Sequence, residues 1–361
     1  MKPVAFVLGL LAGAATPGAC SFFGQSFREE PTTCPTCDEL FPLVETTPSG
    51  ERVGVVHYQQ RGEPKSGTGV VFDWATKAIS QACSYLNDHF GEGSCHTRYF
   101  WPSPLTGDAG NRTLIFEPRF GRENARCPCD NVDRVQVVLF NTGKHLLPVD
   151  DQCAWSRASD VSASKLCASL EGHDVTGYED LVRCMQDAAC PIKDERLQLV
   201  IMRDPRAMAV SAYHYNMVYG RPEFKKRRLE EYVVQVLPVI SQWVAIRHFL
   251  FEYFMADKAT VLYYDEILGD PTEFYRRFLG SIGLRFPSDA VEDMALAVNR
   301  PRFPIGVGRR ESFRAVEESS ASPSFKDELS SEVLEQMDEI VRVWLPPELL
   351  VRFGITASAM E

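Results

Sequence analysis

The sequence predicts an α/β fold, with a central parallel β-sheet covered by helices on both faces and a cysteine-rich insertion. Three observations lead there. Residues 53–58, 135–140, 197–202 and 260–264 are short, apolar or β-rich segments bounded by loop residues. Helical stretches follow them: one over 70–90, one after Pro205, and one over 271–282 in which Phe274, Phe278 and Ile282 recur at four-residue intervals. Strands alternating with helices in this way pack as a parallel sheet with both faces covered. The third observation is an interruption: residues 149–193 break the alternation and carry Cys153, Cys167, Cys184 and Cys190, which marks a disulfide-stapled insertion.

Taken in order, the chain opens with Met1-Lys2 and an apolar run over 4–15 that ends in small residues. That run is shorter than the ~20 residues a bilayer-spanning helix needs. A signal peptide over 1–19, cleaved between Ala14 and Cys20, is favoured over a retained anchor. Residues 20–50, rich in Pro, Thr, Ser and Cys, read as a tether, and 51–355 as the folded domain. The apolar stretch 237–254 is interrupted by Gln242, Arg247, His248 and Glu252, so it reads as a buried helix. Leu334, Met337, Val341 and Trp344 recur at three and four and mark a last helix on the core.

With 361 residues, 45% hydrophobic and 24% charged, the chain has the composition of a globular protein with a full core. Its formal charge of −11 argues against nucleic acid as a partner. An anionic ligand must instead meet a local cluster of cations. Eleven cysteines suit an oxidising lumen. Ten remain to pair if Cys20 leaves with the signal, and their connectivity is open. The Cys34/Cys37 and Cys127/Cys129 pairs match no familiar zinc spacing. Asn111-Arg-Thr113 is a glycosylation sequon if the chain is secreted. The oligomeric state is left open by the sequence.

Two motifs carry chemistry. Pro64-Lys65-Ser66-Gly67-Thr68-Gly69 lies between a strand and a helix. Successive amides of a glycine-containing turn, with the free amides of a helix N-terminus, make an anion cradle. Lys65 adds a point charge and the two hydroxyls add donors. The plain alternative is a flexible turn before a helix. A nucleoside-triphosphate P-loop fits poorly, because there the Lys follows the final Gly. The second motif is Arg203-Asp-Pro205-Arg206, with Ser211 eight residues after Arg203. An Arg fork at a strand end and a hydroxyl on the next helix suit a dianionic phosphate. The plain alternative is an Arg paired with Asp204 and a surface Ser.

In this order the two motifs resemble the family of sulfotransferases that use 3′-phosphoadenosine 5′-phosphosulfate (PAPS). Val261-Leu-Tyr-Tyr264-Asp-Glu-Ile-Leu268 is similar to the family's later Tyr-Glu-Asp-Leu segment, and Lys144-His145-Leu146-Leu147-Pro148 to its Lys-Thr-His-Leu-Pro. The resemblance implies a P-loop-like sheet and a PAPS donor, released as adenosine 3′,5′-bisphosphate (PAP), without a metal. Lys65, Ser66, Gly67, Thr68 and Gly69 would hold the 5′-phosphosulfate. Arg203, Ser211, Arg309 and, beside it, Arg310 would hold the 3′-phosphate. His145 would be the base, with His96 its rival and a Glu in that role in some luminal members. The chain departs from the cytosolic pattern at Gly69-Val70, where Thr-Trp often stands, leaving Trp74 as the nearest aromatic substitute. It also lacks a glycine after Arg310. Two other readings stay open: a P-loop nucleotide kinase, and a non-catalytic nucleotide- or glycan-binding relative. The run Lys225-Lys-Arg-Arg228 reads either as a solvated helix face or as a landing strip for an acidic glycan.

Overall fold

The structure is a computed structural model that describes residues 43–62, 66, 68–100, 112–118, 134–141, 163–171, 175–187, 196–220, 226–256, 258–281, 288–299 and 324–355. Among these, seven strands form one sheet: β1 (Leu43–Thr46), β2 (Arg52–Gly62), β3 (Cys95–Phe100), β4 (Arg112–Pro118), β5 (Arg134–Asn141), β6 (Leu197–Met202) and β7 (Ala259–Tyr263). The order is β3-β4-β5-β2-β6-β7, with β1 paired to the start of β2. β5, β2, β6 and β7 are parallel, as expected. β3 and β4 extend the sheet in antiparallel fashion, so the sheet is mixed and its parallel part is the central and β7 side.

Two departures from the sequence reading have local causes. Leu43–Thr46 falls within the expected tether yet forms β1, paired antiparallel with Arg52–Val55. The turn between them closes at Gly50, whose φ of 84° is one that L side chains rarely adopt, and the Thr47 hydroxyl accepts from the Glu51 amide at 3.1 Å. β2 runs to Gly62 although Gln59, Gln60 and Arg61 are polar. All three are buried, and Arg61 Nε donates to Gln198 Oε1 at 2.7 Å across to β6.

The helices are α1 (Thr68–Phe90), α2 (Ala163–Glu171), α3 (Tyr178–Asp187), α4 (Pro205–Tyr219), α5 (Leu229–Phe249), α6 (Tyr264–Gly269), α7 (Pro271–Ser281), α8 (Ser288–Asn299), α9 (Ser331–Trp344) and α10 (Pro347–Arg352). Alternation along the strands divides them between the two faces. Val200 and Met202 enter a core with Met208, Val233, Trp243, Met337 and Val341 from α4, α5 and α9. Leu199 and Ile201 enter the opposite core with Phe72, Ile79, Phe274 and Phe278 from α1 and α7. Helices therefore cover both faces, as the sequence predicts.

α5 continues as a π-helical turn over Leu250–Phe254. The combined helix is long and apolar enough to cross a membrane, but 67% of its most apolar window is buried inside the protein. It is a core helix. In the insertion, Cys167 of α2 is bonded to Cys184 of α3, and both are buried. A second disulfide, Cys83–Cys95, ties the end of α1 to β3.

Candidate active site

The site is set by where the chain reverses direction across the sheet. After β2 it runs through β3 and β4 and returns as β5 on one side of β2; it then crosses to lay β6 on the other side and continues outward to β7. The carboxyl ends of β2 and β6 thus border a topological switch point, where ligands of open α/β sheets bind. Register makes this concrete. Gly62, the last residue of β2, pairs with Ile201, and Met202, the last of β6, pairs with Tyr263. Adjacent strands lie about 4.8 Å apart. β2, β6 and β7 therefore end side by side, ahead of Ser66, Arg203 and Tyr264 in the chain.

From β2 emerges the glycine-containing loop. Lys65 and Gly67 lie outside the described residues. Ser66 is 1% exposed, and its Oγ has no hydrogen-bond partner among the described residues. A buried hydroxyl without a partner costs about 1–3 kcal/mol relative to a satisfied one. Two residues on, Thr68 opens α1, and Gly69 lies in its first turn. A 23-residue helix presents its free amides here. The orphan hydroxyl and those amides fit an anionic ligand.

From β6 emerges Arg203. Two arginines stand in Arg203-Asp-Pro-Arg206, and the structure separates their work. Asp204 is the N-cap of α4: its Oδ1 accepts from the Arg206 amide at 2.8 Å, with Pro205 opening the helix. Both Asp204 oxygens also accept from the Arg206 guanidinium, at 2.7 to 3.1 Å. That guanidinium reaches Asp338 at 2.5 Å and the Phe353 carbonyl at 2.7 Å as well, and its side chain is 4% exposed. Arg206 is a structural clamp between α4, α9 and the C-terminal segment. It is the arginine that pairs with Asp204.

Arg203 instead lies over the Tyr264 ring, 4.7 Å from its centroid. Burial lowers its pKa from the ordinary arginine value, opposed by Tyr264, Asp204 and Asp265. The guanidinium stays charged at neutral pH. Having lost part of its solvent, it gains from an anion brought against it. Ser211 lies on the second turn of α4 and is half-buried. Tyr264 is the contact the sequence reading missed. No local pattern marks it, because the β6–β7 register is what sets its ring beneath Arg203.

The remaining expectations separate clearly. His145, Arg309, Arg310 and Asn111 lie outside the described residues. His96 is exposed on β3, the far edge strand, directly after the Cys83–Cys95 bridge. Trp74 packs toward α7, its ring 6.5 Å from that of Tyr275. Of the cationic run, Lys226 and Arg228 are exposed. The Arg227 carbonyl accepts from the Tyr213 hydroxyl at 3.3 Å. Tyr213 and Ser211 differ by two residues, about 200° around a helix of 3.6 residues per turn. The Arg227 backbone thus contacts the face of α4 turned away from Ser211.

Fold and site together define an α/β protein in which the buried Ser66 hydroxyl, the start of α1 and Arg203 follow neighbouring strand ends at one switch point. No protein-family model matches the chain, and no curated protein matches it. Solved structures similar to it include a mouse sulfotransferase, SULT7A1, complexed with PAP, at 12% identity and a TM-score of 0.37, covering 79% of this chain and 82% of that one. Another is retinol dehydratase in complex with androsterone and inactive cofactor PAP, at 10% identity and a TM-score of 0.39, covering 79% of each chain.

Proposed function

We propose that the protein transfers a sulfuryl group from PAPS to an acceptor hydroxyl by in-line displacement. The observation that supports this reading is the pairing of Gly62 with Ile201, by which β2 and β6 end side by side ahead of Ser66 and Arg203 in the chain. A ligand with one anionic group in the loop and another at Arg203 has the charge pattern of this donor.

In the proposed reaction the acceptor oxygen attacks sulfur, the bond from sulfur to the 5′-phosphate oxygen breaks, and PAP leaves. Lys65, Ser66, Gly67, Thr68 and Gly69 hold the phosphosulfate, and Lys65 neutralises charge growing on the leaving oxygen. Arg203 and Ser211, with Arg309 and Arg310, hold the 3′-phosphate that distinguishes the donor from AMP-type nucleotides. His145 takes the acceptor proton, a task suited to a group that titrates near neutral pH. Positioning and charge neutralisation supply the catalysis.

The acceptor we assign is a carbohydrate hydroxyl, and the place of action the lumen of the secretory pathway. The Cys83–Cys95 and Cys167–Cys184 disulfides support an oxidising compartment. An acidic glycan acceptor draws no support from the cationic run, whose Arg227 backbone contacts the face of α4 turned away from Ser211. The test is incubation with sulfur-labelled PAPS and a panel of glycan, peptide and small-molecule hydroxyls. Label transfer with stoichiometric PAP release is expected. Magnesium-dependent ATP turnover without label transfer would replace this reading with a kinase.

A further inference from the structure

Arg203 lies in the field of two carboxylates. Asp204 is the next residue in the chain, and Asp265 follows Tyr264, on whose ring the Arg203 guanidinium rests. Both raise the Arg203 pKa against the effect of burial. A carboxylate and a phosphate are alternative partners for one guanidinium fork, so either side chain would compete with an anionic ligand there.

Each of these carboxylates is held by another arginine. Asp204 accepts from Arg206. Asp265 pairs with Arg352 at the end of α10, whose Nη2 lies 3.6 Å from Asp265 Oδ2 and donates to Glu266 Oε1 at 2.7 Å. The Arg352 guanidinium carbon is 4.4 Å from the centroid of the Tyr263 ring. Adjacent tyrosines at the β7–α6 junction thus each carry an arginine: Tyr263 carries Arg352 and Tyr264 carries Arg203. The other Glu266 oxygen accepts from Arg277 of α7 at 2.5 Å, so the carboxylate that steadies Arg352 is itself anchored. The next residue serves the other pair, because the Phe353 carbonyl accepts from Arg206 at 2.7 Å. Residues 352 and 353 therefore act on both carboxylates, Arg352 directly on Asp265 and Phe353 through Arg206 on Asp204.

We propose that Arg352 is a positioning residue for the donor site, one that holds the Asp265 carboxylate so that it does not compete with the 3′-phosphate for Arg203. The inference rests on the reading of Arg203 as a 3′-phosphate ligand. The Asp265 side chain is 57% exposed, so it has room to change rotamer once its cation is removed. Glu266 keeps Arg277 in that event and stays in place. Arg352 acts through Asp265, and its effect is confined to ligands that bring an anion to Arg203.

The test is calorimetric titration of the full chain with PAP and with AMP, which lacks the 3′-phosphate. Arg352→Gln is expected to weaken PAP binding roughly 3- to 5-fold, the scale of one partly exposed ion pair, and to leave AMP binding unchanged. Adding Asp265→Asn to that variant is expected to restore PAP binding, because the competing charge is gone. Arg352→Lys keeps a cation against the carboxylates and is expected to keep the PAP-to-AMP ratio of the unaltered chain. Equal losses for PAP and AMP in Arg352→Gln would make Arg352 merely structural and overturn the proposal. So would a ratio that Arg352→Gln leaves unchanged, a lysine variant as impaired as the glutamine one, or a loss that Asp265→Asn does not restore. These outcomes leave the donor reading standing as long as the unaltered chain prefers PAP. An unaltered chain that binds PAP no better than AMP overturns the donor reading and this inference with it.

Discussion

The Arg203 guanidinium carbon lies 4.7 Å from the centroid of the Tyr264 ring, between the ends of two adjacent parallel strands. A ring beneath a guanidinium holds its plane. Such a contact is worth about 0.5–2 kcal/mol. It explains how a partly buried cation keeps its orientation while Asp204, its neighbour in sequence, is taken by Arg206. Replacing Tyr264 with Leu is accordingly expected to weaken PAP binding by roughly 3- to 10-fold. Calorimetric titration of the variant with PAP checks this.

The two arginines of the motif are expected to fail in opposite ways. Arg206→Met leaves the carboxylates of Asp204 and Asp338 without their cation in a largely buried clamp, which costs about 3 kcal/mol or more. Arg203→Met is expected to cost less than Arg206→Met, because Asp204 stays held by Arg206 and the ring contact that is lost is worth about 0.5–2 kcal/mol. Denaturant midpoints of the two variants, measured side by side, separate the clamp from the site. Similar losses in both would show that Arg203 is structural too.

Lys65→Ala is expected to lower turnover by roughly 100- to 1000-fold while changing PAP affinity little, since the charge it meets develops in the transition state. His145→Ala is expected to lose about 100- to 10,000-fold in rate with PAP affinity nearly intact. His96→Ala is expected to leave the rate close to that of the unaltered enzyme, because His96 sits on the far edge strand. Single-turnover rates with PAPS measure all three. A rate loss at His96 equal to that at His145 would move the base.

A carboxylate far from the site makes a prediction about pH. Burial pushes the Glu348 pKa up, but its own backbone amide, His248 and Tyr253 together pull it below the ordinary value. His248 Nε2 lies 3.1 Å from Glu348 Oε1, and the Tyr253 hydroxyl donates to the same oxygen at 3.0 Å. A depressed carboxyl pKa contributes stability above the unfolded value, and that contribution is lost as pH falls through the folded value. Glu348→Gln is therefore expected to melt below the unaltered chain at pH 7, with the gap closing below about pH 4. Melting curves from pH 7 to 3 check it, and a gap independent of pH would assign the effect to packing.

How far the fold was legible in sequence follows from where its stability is local. β5 and β6 are short apolar runs buried along most of their length, and composition alone marks them. Phe274 and Phe278, buried and stacked on α7, and Met337 and Val341 on α9 show the helical period directly. β3 carries Cys-His-Thr-Arg-Tyr-Phe with several positions exposed, and its identity as a strand depends on pairing with β4. No local pattern reports such pairing. The site divides the same way. The motifs of Ser66, Arg203 and Ser211 are continuous in sequence. The seat of Arg203 over Tyr264 depends on the Met202–Tyr263 register, and the seat of Arg206 on Asp338, 132 residues away. Register and long-range contacts are properties of the assembled sheet.

The central claim is that one crevice holds both anionic ends of PAPS, and comparing PAP with AMP tests it most directly. The two nucleotides share the 5′-phosphate and differ at the 3′-phosphate assigned to Arg203 and Ser211. A ligand present at 100 times its dissociation constant stabilises the native state by about 2.7 kcal/mol. At equal concentration, PAP is expected to raise the melting temperature clearly and AMP much less, and Arg203→Met is expected to erase the difference. Equal shifts with PAP and AMP, or a PAP shift that survives Arg203→Met unchanged, would contradict the account.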